Sequence, residues 1–85
     1  MKLIATFYSH FGAVRFANKC KSVNCKAKLM PVPRTLSSSC GTCVSYEGDR
    51  PYPFGEEMQE ITDEVEQVVE VTESGYVQLY RAQDS

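Results

Sequence analysis

The sequence predicts an α+β domain of the ferredoxin-like class, in which β-α-β-β-α-β elements form one antiparallel sheet with two helices on one face. Three features of the chain indicate this class. Segments near both ends carry the apolar and β-branched residues of strands, segments between them repeat apolar residues at helical spacing, and turn-forming residues separate the segments. With 85 residues and 42% hydrophobic composition, the chain can build one small core, so we expect residues 1–85 to form a single domain.

The first half of the chain predicts a strand, a helix and a second strand. Residues 2–8 are mostly apolar, aromatic or β-branched, which is typical of a strand. Ser9 is a suitable N-cap for the helix that follows, and Asn24 can take the left-handed conformation that ends it. Apolar residues recur every three or four positions between them, at Ala13, Phe16, Ala17, Cys20 and Val23. A second strand near residues 27–32 is stopped by two prolines.

The second half predicts a strand, a long loop, a helix and a last strand. Residues 43–46 form the strand, and residues 47–55 are rich in the turn formers of an exposed loop. From Glu56 the apolar spacing is helical, at Met58, Ile61, Val65 and Val68. Residues 76–81 alternate as a strand should. The β-branched stretch Val68–Val71 leaves an alternative open, in which it begins a hairpin into that last strand.

Composition bears on where the protein works. No apolar run approaches the length of a membrane span, so we expect no membrane association. The first residues enter a strand pattern directly and do not resemble a signal peptide. We therefore expect a cytoplasmic protein with reduced thiols. Four cysteines in a short chain are also compatible with a secreted two-disulfide scaffold, but no secretion signal accompanies them.

Charge is unevenly distributed along the chain. Residues 1–46 hold seven Lys or Arg and no acid, whereas residues 47–85 hold all eleven acids and two arginines. Such asymmetry can mark a surface for a charged partner, or two faces that neutralise each other within the fold. The basic residues form no dense cluster, so we expect no nucleic-acid binding. Two helices cover only one face of the predicted sheet, and we expect a homodimer to cover the other.

The most informative segment is the one from residue 31 to residue 43, with the sequence PVPRTLSSSCGTC. Its prolines stiffen the backbone after a strand, and Gly41 allows a bend or the close approach of another molecule to Cys40. A thiolate at this position is both a nucleophile and a group that can hold sulfur or selenium as a persulfide-type adduct. The candidate site residues are the thiols Cys40 and Cys43 and the loop residues Pro33, Arg34, Ser38, Ser39 and Gly41.

Other uses of the cysteines remain open. The C-x-x-C spacing of Cys40 and Cys43 suits a thiol–disulfide redox protein, although a strand rather than a helix is predicted to follow. With Cys20 and Cys25 the spacing becomes C-x4-C-x14-C-x2-C, only the second half of which resembles a zinc site. Cys20 lies on the apolar stripe of the predicted helix and is expected in the core. The cysteines are incidental in a further alternative, a small dimeric interaction module.

Two residues outside this segment are harder to assign. Cys25 follows the predicted helix end and is interpreted as an incidental surface cysteine, with a resolving thiol as the alternative. His10 follows the predicted N-cap, and the sequence does not decide whether it lies near or far from Cys40. A histidine at an exposed helix start is the simpler interpretation.

The chain resembles the selenium/sulfur carrier-like family, a set of small bacterial domains, over nearly its whole length. The resemblance is most specific over residues 30–41 and is carried by Pro31, Pro33, Arg34, Ser39, Cys40 and Gly41. It implies a non-enzymatic carrier with Cys40 as the carrier residue, no cofactor and no metal, which exchanges its cargo with donor and acceptor proteins such as a cysteine desulfurase. Cys43 has no place in the family pattern, and a neighbouring thiol would tend to discharge a persulfide on Cys40.

Overall fold

The computed structural model describes residues 1–22, 25–36, 38–48 and 63–82. The strands form one antiparallel sheet in the order β2-β3-β1-β4-β5. One helix accompanies this sheet within the described residues, so the α+β class is confirmed. The elements in chain order are β1 (Lys2–Phe7), α1 (His10–Ser22), β2 (Ala27–Pro31), β3 (Thr42–Glu47), β4 (Val65–Thr72) and β5 (Gly75–Arg81).

The second half differs from the prediction. Val65 and Val68, assigned above to a helix, lie in strand β4, while residues 56–62 of that predicted helix lie outside the described residues. The alternative of a hairpin from Val68–Val71 is correct, since β4 turns directly into β5. The described residues therefore have one helix and five strands, and the ferredoxin-like element order with two helices on one face is wrong for them. Burial of three β4 valines between strands β1 and β5 outweighs their helical spacing.

Helix α1 covers one face of the sheet and begins as predicted. The N–H of Gly12 donates to Ser9 Oγ at 3.1 Å, so Ser9 is the N-cap. Phe16 packs between the rings of Phe7 and Tyr46, with ring centroids 5.2 and 5.1 Å away. The buried residues of this first core cluster are Leu3, Ala5, Phe7, Ala13, Phe16, Ala17, Cys20, Val44, Tyr46, Val65 and Val68.

The opposite face of the sheet carries a second, smaller core cluster. Its buried members are Ile4, Cys43 and Val69, with Met30, Val32, Leu36 and Val71 packed around them. Val32 and Leu36 belong to the connection between β2 and β3, so this connection covers part of the face that the helix leaves open. The homodimer remains a prediction.

Two further observations bear on charge and on membranes. Arg15 Nη1 on α1 lies 3.3 Å from Glu64 Oε2, an ion pair that joins the basic half of the chain to the acidic half. This is the arrangement in which the two halves neutralise each other. The part of the chain that the structure describes contains no helix long and apolar enough to cross a bilayer.

Candidate functional site

The candidate site lies at the end of the sheet where β1 and β2 finish and β3 and β4 begin. The connection between β2 and β3, residues 32–36 and 38–41, is called the Cys40 loop below. Its base is closed by the N–H of Val32, which donates to the carbonyl oxygen of Gly41 at 3.0 Å. A turn inside it is closed by the N–H of Leu36 on the Pro33 carbonyl, also at 3.0 Å. The loop is therefore a closed structure with defined positions for its side chains.

Cys40 is half-buried and lies against the first core cluster, on the helix side of the sheet. Its Sγ donates to the carbonyl oxygen of Thr42 at 3.3 Å. Gly41 has φ +77°, a conformation that disfavours any side chain, and no atom lies within 4 Å of the position that a Cβ would take. The backbone conformation explains the glycine, and apart from its chain neighbours no atom fills the space where a side chain on residue 41 would lie.

Cys43 is placed very differently. It is fully buried in the second core cluster, on the other face of the sheet, and its Sγ donates to the Pro31 carbonyl at 3.7 Å. Burial, followed by the neighbouring charge of an ionised Cys40, raises the pKa of the Cys43 thiol to about 11. The two thiols of the C-x-x-C motif therefore lie in different environments, and Cys43 is protonated at neutral pH.

The serines of the loop are already engaged. The N–H of Ser39 donates to Glu66 Oε1 at 3.3 Å and its hydroxyl to Oε2 at 2.7 Å. Thr6 Oγ1 donates to Glu66 Oε1 at 3.2 Å, and Ser38 Oγ donates to the Phe7 carbonyl at 3.3 Å. These donors hold the loop to strands β1 and β4. They are satisfied by protein oxygens rather than free for a bound anion.

Arg34 supplies the cation of the loop. Its side chain is exposed, and it forms no ion pair with any acid among the described residues. Pro33, half-buried beside it, contributes its carbonyl to the loop's internal turn. Residue 37 of the loop lies outside the described residues. The described loop thus combines one engaged serine pair, one free cation and one half-buried thiol.

His10 lies at this site, a point that the sequence alone left undecided. Its Nδ1 lies 3.2 Å from Thr42 Oγ1, and Thr42 is the residue whose carbonyl accepts from Cys40. The contact follows from the sheet: β1 and β3 pair antiparallel, so the helix that starts after β1 begins beside the first residue of β3. Glu66 was missed for the same reason, because only the pairing of β1 with β4 brings it to the loop.

The other two cysteines lie at the far end of the sheet. Cys20 is buried in the first core cluster, as predicted, and Cys25 is half-buried with its Sγ 3.2 Å from the Glu47 carbonyl oxygen. Glu47 is the last residue of β3, whereas Cys40 and Cys43 lie near its first. All four cysteines are free, and the described residues contain no group of three or more His, Cys, Asp or Glu that could hold a metal ion.

Comparison with known proteins yields one match. A family model described as "Putative Se/S carrier protein-like" matches residues 2–80. No curated protein and no solved structure matches the chain. The matched range contains the Cys40 loop, both strands that flank it and the helix that bears His10.

Proposed function

Since this chain belongs to the Se/S carrier protein-like family, we propose that it carries a sulfur or selenium atom as a persulfide-type adduct on Cys40. The observation that carries the proposal is the contrast between Cys40 and Cys43. Cys40 is half-exposed beside the open space at Gly41, whereas Cys43 is fully buried and protonated. A carrier residue must be reached in turn by a donor and an acceptor, and Cys40 is the thiol of this loop that can be reached.

Loading is a transfer between sulfur atoms. The Cys40 thiolate attacks the terminal sulfur of a persulfide on a donor protein such as a cysteine desulfurase. A new S–S bond forms at Cys40, the S–S bond of the donor breaks, and the donor leaves as a thiolate. Release reverses these steps toward an acceptor. The transferred sulfur atom keeps its oxidation level, so the exchange needs no cofactor.

Arg34 supplies the positive charge of the loop in this proposal. It is exposed without an acidic partner among the described residues, and a cation on the loop attracts an anionic adduct. His10 contacts Thr42, whose carbonyl accepts from Cys40. Glu66 accepts from Ser39, the residue next to Cys40, and so holds the loop in place.

The placement of Cys43 supports carriage over redox chemistry. To discharge an adduct on Cys40, Cys43 would have to leave the second core cluster and reach the other face of the sheet, where Cys40 packs. The redox alternative needs the same movement. We therefore assign Cys43 a packing role within the proposal, and a cytoplasmic setting, in which free thiols persist, goes with it.

The test is the intact mass of the protein after incubation with a cysteine desulfurase and L-cysteine, with peptide mapping of the adduct. We expect a gain of one sulfur atom on Cys40 that reductant removes. Cys40→Ser should abolish the gain, and the matched variant Cys43→Ser should retain it. Loss of the adduct in both variants, with a loss of two hydrogens in the unmodified chain, would favour the redox protein. An unchanged mass throughout would favour the interaction module.

A further inference from the structure

A second thiol pair lies where α1 ends. The N–H of Cys25 donates to the carbonyl oxygen of Cys20 at 2.8 Å, which is the six-to-one hydrogen bond that closes a helix C-terminus. This closure turns the chain back so that the side chains of its first and last residues meet. Cys25 accordingly packs against the first core cluster, to which Cys20 belongs. The closed end of the helix therefore places the two cysteines next to each other.

The two thiols of this pair differ in access. Cys20 is fully buried, whereas Cys25 is half-buried with its Sγ at the Glu47 carbonyl oxygen. Burial, then the charge of Cys25 and a hydrogen bond with it, raises the pKa of Cys20 to about 12. Cys25 is therefore the thiol that a reagent in solution reaches first, and Cys20 is the buried thiol of the pair.

Tyr46 adds an independent observation. Its hydroxyl is buried and has no hydrogen-bond partner among the described residues. The pKa of Tyr46 is raised by burial and then by charge on Cys20 and on Cys25, and its ring packs on Phe16 in the core cluster that contains Cys20. A buried, unsatisfied O–H donor is costly unless a partner arrives. A thiolate formed at this corner during exchange is such a partner.

From these contacts we propose that Cys20 and Cys25 are a second, redox-active site, which closes to a disulfide by exchange with a low-molecular-weight disulfide. The Cys25 thiolate attacks one sulfur of that disulfide, forms a mixed disulfide and releases one small thiolate. The Cys20 sulfur then attacks Cys25, the mixed bond breaks, and the second small thiolate leaves. The protein loses two electrons and two protons, and the small disulfide is reduced to two thiols.

The reaction is tested in the full-length Cys40→Ser variant, where the proposed carrier function is absent, so that the outcomes of the two proposals are separate. After incubation with oxidised glutathione, we expect a loss of two hydrogens and a Cys20–Cys25 crosslink in peptide mapping. Cys20→Ser should instead trap glutathione on Cys25, and Cys25→Ser should take up none at this corner. Cys43→Ser, a matched change of a buried cysteine, should leave the reaction as it was. Circular dichroism confirms that each variant is folded.

An unmodified mass, or a glutathione adduct confined to Cys43, would overturn the assignment. Because Cys20→Ser alters the core, the unaltered corner gives a second measurement. Dithiothreitol should return the oxidised pair to two free thiols with a gain of two hydrogens, and the cycle should repeat with the same protein. A modification that dithiothreitol does not reverse would overturn the proposal.

Discussion

The Cys40 loop with the start of β3, and the corner formed by Cys20, Cys25 and Tyr46, each hold one half-buried and one fully buried cysteine, yet only at the corner do both cysteines pack in one core cluster. At the loop, C-x-x-C runs into strand β3, and the two cysteines belong to core clusters on opposite faces of the sheet. At the corner, C-x4-C spans a helix end that closes on itself. The backbone between two cysteines, more than their spacing, decides whether they form a pair.

The largest expected effect is on thiol reactivity at neutral pH. Cys40 and Cys25 should react with iodoacetamide first, and Cys43 should react most slowly together with Cys20. A pKa raised from 9.0 to about 11 leaves Cys43 with roughly 100-fold less thiolate than an ordinary cysteine. Mass spectrometry of digested samples over time measures the four rates. Equal rates for Cys40 and Cys43 would contradict the difference in burial between these two thiols.

Alkaline pH should separate the buried thiols next. The folded pKa values of Cys43 and Cys20 lie above the ordinary thiol value of 9.0, at about 11 and about 12. Their burial is therefore fully stabilising below pH 9, and stability is lost as the pH rises from 9 through these values, because the unfolded chain ionises first. Urea unfolding at a series of pH values from 8 to 11 measures this loss of stability.

The matched variants sharpen this experiment. Cys43→Ala should flatten the loss of stability between pH 9.0 and about 11 that comes from the loop. Cys20→Ala should flatten the part that comes from the corner, which extends to about 12. An unchanged pH profile in either variant would show that the thiol in question is not the one whose ionisation opposes folding.

Local sequence signals account for most of the described fold. The Ser9 N-cap, the helical stripe through Cys20 and the strand at residues 2–8 were predicted within a residue or so of α1 and β1 as observed. Such signals are read within a single element. The stretch at residues 65–72 was not predicted as β4, because Val65 and Val68 satisfy helical and strand spacing alike, and only pairing with β1 and β5 decides between them.

The site was predictable only in part for the same reason. The proline-rich run and the Cys-Gly pair mark the Cys40 loop in the sequence itself. His10 and Glu66 reach that loop through the pairing of distant strands, and no local pattern announces either. The corner was overlooked because Cys20 was interpreted as core and Cys25 as surface. Cys20 is in the core as predicted, whereas Cys25 is half-buried against the same core cluster, and the hydrogen bond that closes the helix joins the two residues.

A smaller effect is expected from Gly41→Ala, which acts on the loop alone. A φ of +77° disfavours an alanine, while the empty space around the Cβ position excludes a clash, so the cost should be about 1 kcal/mol of strain. Gly48→Ala is the matched control, since it also has no atom within 4 Å but no positive φ. Urea unfolding of both variants measures the difference. Equal stabilities would remove the conformational reason for the glycine beside Cys40.

The smallest expected effect is a gain in stability from Tyr46→Phe at the corner. The Tyr46 hydroxyl is buried without a hydrogen-bond partner among the described residues, so its removal relieves a desolvation cost of about 1 kcal/mol while the ring keeps its packing on Phe16. The same hydroxyl is proposed to meet a thiolate at Cys25. The variant should therefore unfold at higher urea and be oxidised more slowly by glutathione disulfide.

The stability and the oxidation rate of Tyr46→Phe together show whether the hydroxyl takes part in the exchange or is only a buried group without a partner. A purely structural defect would make Tyr46→Phe more stable and leave the oxidation rate and its pH profile as they are. A donor to the exchanging sulfur would instead shift the pH profile of Cys25 oxidation upward, because the thiolate loses a hydrogen bond that favours it. Tyr76→Phe, at an exposed tyrosine of β5, is the control that should change neither. Greater stability with an unshifted profile would leave the corner a pair of adjacent thiols without its proposed donor.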